Sequence, residues 1–241
     1  VPEFDRDRLG ALRSLLEIWA RRHPVAPADA EALRAGRYTF LHHTVNSPGE
    51  PPWRRNDVPR LWCYHLHYFE AARTLALANI ARPYLEDRER VVGWIRSWIE
   101  HNPPGADVAW DAFPISARLI NWAIGESVFH FRDPAFRRSF AQQAAFLSSN
   151  LEYDLLGNHL LKNAVALSVA GSIFDQTLLR RGLDLLEREL AEQILPDGGH
   201  YERSPMYHAL ILEDLLLAYA ILAEKPGFLR EAIAGMAAFL E

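Results

Sequence analysis

The sequence predicts an all-α chain of successive helical hairpins, and three observations carry that reading. From residue 61 onward, apolar residues recur at three- and four-residue spacing in one segment after another. The connections between segments are short and marked by Pro, Gly, Asn or Asp. Only residues 36–45 are β-rich. Short connections make consecutive helices antiparallel neighbours, and such hairpins bury their apolar faces only by stacking. An open solenoid and a closed or incomplete (α/α) toroid both satisfy this pattern. In a toroid, alternate loops gather at one end and can form a cleft.

The elements follow in order. Leu9, Leu12, Leu15, Leu16 and Trp19 share one face of a helix over residues 4–21, which Pro24 ends. A short helix over 27–33 comes next, then one extended or strand segment at 36–45. Pro48, Pro51, Pro52 and Pro59 make 46–59 a loop. The aromatic-rich stretch 61–80 reads as one helix, broken by Pro83. In 86–99, Val91, Val92, Ile95, Trp98 and Ile99 form one face, and Asn102-Pro103-Pro104-Gly105 is a firm stop. Helices follow over 114–129, 134–151, 158–173, 176–194, 205–223 and 228–240. Asp133-Pro134, Asp175 and Ser204-Pro205 supply cap and first-residue signals for three of them. No linker or low-complexity segment divides the chain. Residues 1–241 therefore read as a single helical domain, with N-terminal helices and loop over 1–59 and helical hairpins over 60–241. The last helix reaches Glu241 without a stop signal. The first residues lack an initiator Met and the basic and apolar regions of a signal peptide. Both features read as a processed chain or fragment of a longer polypeptide.

With 49% hydrophobic and 24% charged residues, the balance is that of an ordinary globular domain. A net charge of −5 argues against a nucleic-acid partner but is compatible with an acidic substrate in a locally cationic cleft. Cys63 is the sole cysteine, so no intrachain disulfide forms, and its aromatic surroundings point to packing. No apolar run is long enough to span a bilayer. His42-His43 has no carboxylate or third His at ligand spacing, so no metal is expected. There is no G-x-S-x-G, P-loop, G-x-G-x-x-G or H-E-x-x-H motif, and no cofactor is expected.

Four polar clusters stand out. The first, Pro196 to His208, packs His200, Tyr201, Glu202, Arg203, Tyr207 and His208 around Gly198-Gly199. It reads either as a polar loop with a helix cap or as a site in which the glycines let the backbone approach a ligand. In the second, Asn158 opens an apolar helix, and His159 and Asn163 share a face. Asn158 is either an N-cap or a side-chain amide placed where an anion is favoured. In the third, which Trp110 leads into, Arg118, Asn121 and Trp122 put a cation, an amide and an indole on one helix face. Such a mixture can hold a sugar or a uronate, or simply pack helices. The fourth, Leu61 to Phe69, is mostly core, with Trp62, Tyr64, His65 and His67 as candidates to reach a cleft.

With these motifs in view, the sequence resembles the heparinase II/III-like polysaccharide lyases, specifically their N-terminal helical toroid domain. The residues that carry the resemblance are Leu61-Trp62-Cys63-Tyr64-His65-Leu66, Trp110 through Trp122, Gly157-Asn158-His159-Leu160-Leu161 and Asp197 through His208. The resemblance implies an incomplete (α/α) toroid, normally followed by a C-terminal β-sandwich domain that closes the cleft and adds a catalytic His or Tyr. It also implies β-elimination at a uronic acid of an acidic polysaccharide. Asn158 matches the residue that neutralises the C5 carboxylate, and Tyr207 matches the acid, in some members also the base. His159 and His208 match neighbouring site histidines. Arg118, Asn121, Trp110, Trp122, Glu202, Arg203, Trp62 and His65 are the candidate substrate contacts. A tyrosine acting as base near neutral pH needs a nearby cation, and Arg203 or a protonated His is available in the sequence. The compartment expected is bacterial, periplasmic or secreted.

Two other functions fit the residues. One is a toroid glycoside hydrolase using Asp111 with Asp197 or Glu202. The other is a non-catalytic glycan-binding domain in exopolysaccharide metabolism. Heparan-like, alginate-like and exopolysaccharide uronates all remain open as substrates.

Overall fold

Four helices placed side by side form the inner layer of the molecule: α4 (Glu70–Ala81), α6 (Ala112–Phe129), α8 (Gly157–Phe174) and α10 (Pro205–Ile221). The outer layer is α5 (Leu85–His101), α7 (Pro134–Ser149), α9 (Gln176–Gln193) and α11 (Gly227–Ala238), each returning against an inner helix. Helix α1 (Arg6–Arg22) packs against all four inner helices. Its start is tied to the end of α8 by the Asp5 amide, which donates to the Ile173 carbonyl at 2.8 Å. Two short helices, α2 (Pro27–Arg34) and α3 (Arg60–His67), and a hairpin of β1 (Arg37–Phe40) and β2 (His43–Asn46) complete the regular structure, with a 3-10 turn at Asp107–Trp110. This computed structural model describes residues 1–155 and 157–241. The architecture is the incomplete (α/α) toroid.

Sequence patterning explains the layers. Helices α6 and α8 are apolar on every side and are almost wholly buried, as a helix without a polar face must be. Helix α9 is amphipathic: Leu185, Leu186 and Leu190 are buried while Arg180, Arg181 and Arg188 are exposed. The predicted caps hold: Asp133, Asp175 and Ser204 accept from first-turn amides of α7, α9 and α10, each worth about 1 kcal/mol. Asp5, which the pattern did not single out, caps α1 in the same way.

Two segments differ from expectation. Residues 36–45 fold back as an antiparallel hairpin rather than one extended segment, with Tyr38 opposite Val45. The turn residues Leu41 and His42 both take positive φ, 51° and 64°, the geometry of a two-residue hairpin turn usually marked by Asn-Gly. The stretch 61–80 is two helices, broken where Phe69 adopts φ 61°. The carbonyls freed by the break find distant partners. Arg118 Nη1 donates to His67 O at 3.0 Å, and Asn121 Nδ2 donates to Tyr68 O at 2.8 Å. Phe69 itself is buried between Trp53 at 5.2 Å and Trp122 at 5.3 Å. The two carbonyl contacts and Trp122 come from another helix, α6, so local periodicity carries no trace of the break.

Candidate active site

The start of every inner helix faces the same end of the molecule. There, residues from the α3–α4 junction and from the beginnings of α6, α8 and α10 line an open cleft of about 1380 Å³. Helix N-termini carry partial positive charge from their unpaired amides, so the floor of this cleft favours an anion.

Six of the predicted residues line it: His65, Trp110, Asn121, Asn158, His159 and Tyr207. Asn158 is the second residue of α8, inside the helix rather than at the cap position before it. Its backbone amide donates to Glu202 Oε1 at 3.3 Å. His159 stands beside it, its ring 4.7 Å from that of Phe113. Its Nδ1–H donates to Glu152 Oε1 at 3.0 Å. That hydrogen bond holds the His159 pKa above its ordinary value, against the opposing effect of burial. Tyr207 enters from the other side, at the third residue of α10. The cap fixes its backbone, Tyr207 N–H donating to Ser204 Oγ at 3.4 Å. His65 stacks on Phe40 at 5.6 Å. Trp110 is only 5% exposed and donates its Nε1–H to Asn102 O at 3.0 Å.

The other six do not line it, and Arg118, Trp122, Trp62 and His208 each have a structural task. Arg118 was expected to grip a carboxylate, but it is fully buried. Its guanidinium donates to Gln143 Oε1 at 2.6 Å, His67 O at 3.0 Å and Ala109 O at 2.9 Å, and lies 3.9 Å over the Trp98 ring. Trp122 is buried among Phe69, Trp98 and Phe136. Trp62 is buried too, packing on Phe40 and donating to His43 O at 3.0 Å. His208 is 2% exposed. Its Nε2–H donates to Met236 O at 2.9 Å, and its Nδ1 accepts from the His200 amide at 3.3 Å. It therefore clamps α10 to α11 instead of facing a sugar, because adjacent residues of a helix point about 100° apart. Glu202 and Arg203 are exposed outside the cleft.

The glycine pair also has a different use from the one expected. Gly198 takes φ 85°, and a Cβ there would lie 2.1 Å from the Gly235 carbonyl oxygen. The close approach is to α11, not to a ligand. Asp197 accepts from the Gly199 amide at 2.9 Å and does not line the cleft. The carboxylate partners proposed for Asp111 in a glycosidase, Asp197 and Glu202, are thus both outside it.

Of the further residues at the cleft, Tyr64 and Asp111 were among the sequence candidates, whereas Glu152, Lys162, Asp214, Arg73, Glu213 and Tyr68 carried no clear sequence signal. Glu152 precedes α8 and accepts through Oε2 from Asn163 Nδ2 at 2.8 Å. Lys162 Nζ bridges both carboxylate oxygens of Asp214, at 2.7 and 2.8 Å. Burial raises the Asp214 pKa, and the Lys162 charge opposes this. Arg73 pairs with Glu213 at 2.6 Å. Tyr64 O–H donates to Asp111, and burial, with that bond second, raises its pKa. Burial likewise raises the Tyr68 pKa. Lys162 had one detectable cue: it lies four residues after Asn158 and so shares its helix face. Cys63 is buried as expected, and its burial pushes the thiol pKa up. Among the described residues, no group of three His, Cys, Asp or Glu side chains forms a metal cluster, and no helix is long and apolar enough to cross a membrane.

Each permanent cation of the cleft, Arg73 and Lys162, is matched by a carboxylate of α10. An incoming carboxylate would therefore meet an amide, an imidazole and helix N-termini rather than a free lysine or arginine. A phenol faces the same space. Such a site suits an anionic ligand.

Known proteins resemble this chain in sequence and in fold. The family model described as heparinase II/III N-terminus matches residues 53–235. A heparin-sulfate lyase of Bacteroides stercoris is 33% identical over 245 residues, which covers 83% of this chain and 35% of that protein. One from Bacteroides thetaiotaomicron is 30% identical over 149 residues, 53% of this chain and 21% of that protein. Among solved structures, the heparan sulfate lyase HepC from Pedobacter heparinus has a TM-score of 0.71 at 22% identity, covering 91% of this chain and 39% of its own. A structure of heparinase III also has a TM-score of 0.71, at 23% identity, covering 90% and 38%. The structural likeness is one of fold. The chain spans between 21% and 39% of the length of these relatives.

Proposed function

The chain belongs to the heparinase II/III family through its N-terminal helical domain, and from that premise we propose that it provides the toroid half of a polysaccharide lyase active site. The substrate on this reading is a uronic-acid polymer cleaved by β-elimination. A base takes the C5 proton, the C4–O4 bond breaks, a C4=C5 double bond forms, and an acid returns a proton to O4. The single observation that carries the reading is that Asn158, His159 and Tyr207, from the first turns of two helices, line one cleft.

The roles follow from position. The Asn158 amide, at the N-terminal end of α8, neutralises the C5 carboxylate and so makes the adjacent C–H more acidic, as preorganised donors do where charge develops. Tyr207 supplies the phenol that delivers or takes the proton. The cation that lines the same cleft is His159, whereas Arg203 is not among the lining residues. The partner domain expected to complete the site is a C-terminal β-sandwich, and the compartment is periplasmic or extracellular, where polysaccharides are met.

The test is product absorbance across a panel of uronic-acid polymers, using the full-length protein. Elimination leaves a conjugated unsaturated uronate and hydrolysis does not. Tyr207→Phe is expected to abolish that absorbance, while near-normal turnover by this variant would refute the assignment. Saturated product would restore the glycosidase reading. Glycan binding with no product at all would leave a binding domain.

A further inference from the structure

His159 is carried by α8, but its ring is oriented from outside the helix. Glu152, in the connection before α8, takes the Nδ1–H at 3.0 Å. Glu152 is itself held at two points by Asn163, which is fully buried. Its backbone amide donates to Asn163 Oδ1 at 3.0 Å, and its Oε2 accepts from Asn163 Nδ2 at 2.8 Å. Asn163 Nδ2 also donates to Ser116 Oγ at 3.1 Å, and Ser116 is anchored by donating to Ala112 O at 2.9 Å. A chain of four side chains, the buried Ser116 and Asn163 and the partly buried Glu152 and His159, thus runs from α6 through α8 to the loop and ends on one imidazole nitrogen.

We propose that Glu152 is a positioning residue for the lyase reaction, fixing His159 as a cationic donor whose Nε2–H serves the cleft beside Asn158 and Tyr207. This rests on the reading given under Proposed function. The geometry explains the choice of residue. A carboxylate can accept from both the His159 Nδ1–H and the Asn163 Nδ2–H, whereas a side-chain amide has one accepting oxygen and one donating nitrogen. With Nδ1 committed to Glu152, only Nε2 is left to face a ligand. The other elements around the ring reinforce the positive form or leave it alone. Glu202, from the loop before α10, attracts it. Phe113, from α6, is apolar. Lys162 shares α8 with it but is tied to Asp214 of α10, and Tyr207 completes the facing wall. A cation held there stabilises the substrate carboxylate and the negative charge that develops as the C5 proton leaves. His159 transfers no proton in this scheme.

The experiment has two readouts. In the chain itself, the ring protons of His159 are followed by NMR through a pH titration. Glu152→Gln is expected to lower the midpoint by about one pH unit or more, with Glu152→Asp intermediate. In the full-length protein, Glu152→Gln is expected to lower kcat by about tenfold or more, with KM changed by less than about twofold. The alkaline limb of the kcat profile should move to lower pH by the same shift as the NMR midpoint. Combined with His159→Gln, it should cost nothing further, as expected of two residues acting as one unit. An unchanged NMR midpoint would overturn the proposal. So would a kcat loss that is equal at every pH and additive with His159→Gln, which would make Glu152 a scaffold residue only. If the unaltered protein forms no unsaturated product, the lyase reading fails while the titration still decides whether Glu152 governs His159.

Discussion

Gly198 and Gly235 meet backbone to backbone, with a Cβ on Gly198 placed 2.1 Å from the Gly235 carbonyl oxygen. The contact seats the loop before α10 on α11. Gly198→Ala has to accommodate both this overlap and a φ of 85°. It should destabilise by about 2 kcal/mol, which lowers the melting temperature by roughly 4–8 °C for a domain of this size. Calorimetry checks this. A stable but glycan-blind variant would return the glycines to the ligand.

Arg118 predicts a similar outcome for a different reason. Arg118→Met leaves the acceptors His67 O, Ala109 O and Gln143 Oε1 without their buried donor. Stability should fall by about 3–5 kcal/mol. Arg118→Lys should rescue little, since an ammonium cannot reach three divergent acceptors as a planar guanidinium does. Chemical denaturation measures the loss. A raised KM at unchanged stability would show a substrate contact instead.

Asn158 should behave in the opposite way. Being inside α8, it can be replaced by Ala with stability kept within about 0.5–1 kcal/mol, while turnover falls by roughly 10²-fold. Paired melting and product assays separate these effects. A large melting shift with normal turnover would mean that the side chain supports the helix and nothing more.

Lys162 and Asp214 form a bidentate pair with the carboxylate mostly buried. Lys162→Met strands that carboxylate and should cost more stability than Asp214→Asn, by about 1–2 kcal/mol. The double variant should recover part of the loss. A double-mutant cycle reads the coupling directly, and additive losses would mean no interaction.

Acid should destabilise the fold through His67. Burial, with the Arg118 charge in the same direction, pushes its pKa down to about 3. An unfolded histidine titrates near 6.5, so between about 6.5 and about 3 the unfolded chain binds a proton that the folded chain does not. Stability is therefore present above that window and falls as pH drops through it. His159 has the opposite sign. Its pKa is raised, so its contribution is complete at low pH and is lost as pH rises through the raised value. Denaturation midpoints at several pH values, with His67→Asn for comparison, test the first effect. An equally steep acid limb in that variant would exclude His67 as a source.

Helix-forming patterns were readable because they are local. The caps at Asp133, Asp175 and Ser204, the apolar circumference of α8 and the amphipathic face of α9 depend on neighbours within one or two turns. The break at Phe69 was not readable, because Arg118 and Asn121 satisfy its carbonyls from another helix. Glu152 was missed for the same reason, since its partners include the buried Asn163 from the middle of the next helix.

By itself, the sequence determined the all-α class, the placing of nearly every helix and the motifs that mark the family. Only the tertiary structure decided which side chains of those motifs reach the cleft. Tyr207 and His208 are adjacent in the chain, yet one faces the cleft and the other holds α11. Periodicity says that both lie on a helix, whereas packing against α8 and α11 sets the rotation of that helix about its axis. The same holds for Arg118. Its charge suggested a ligand, but three backbone and side-chain acceptors, brought together from distant segments, are what compensate its burial.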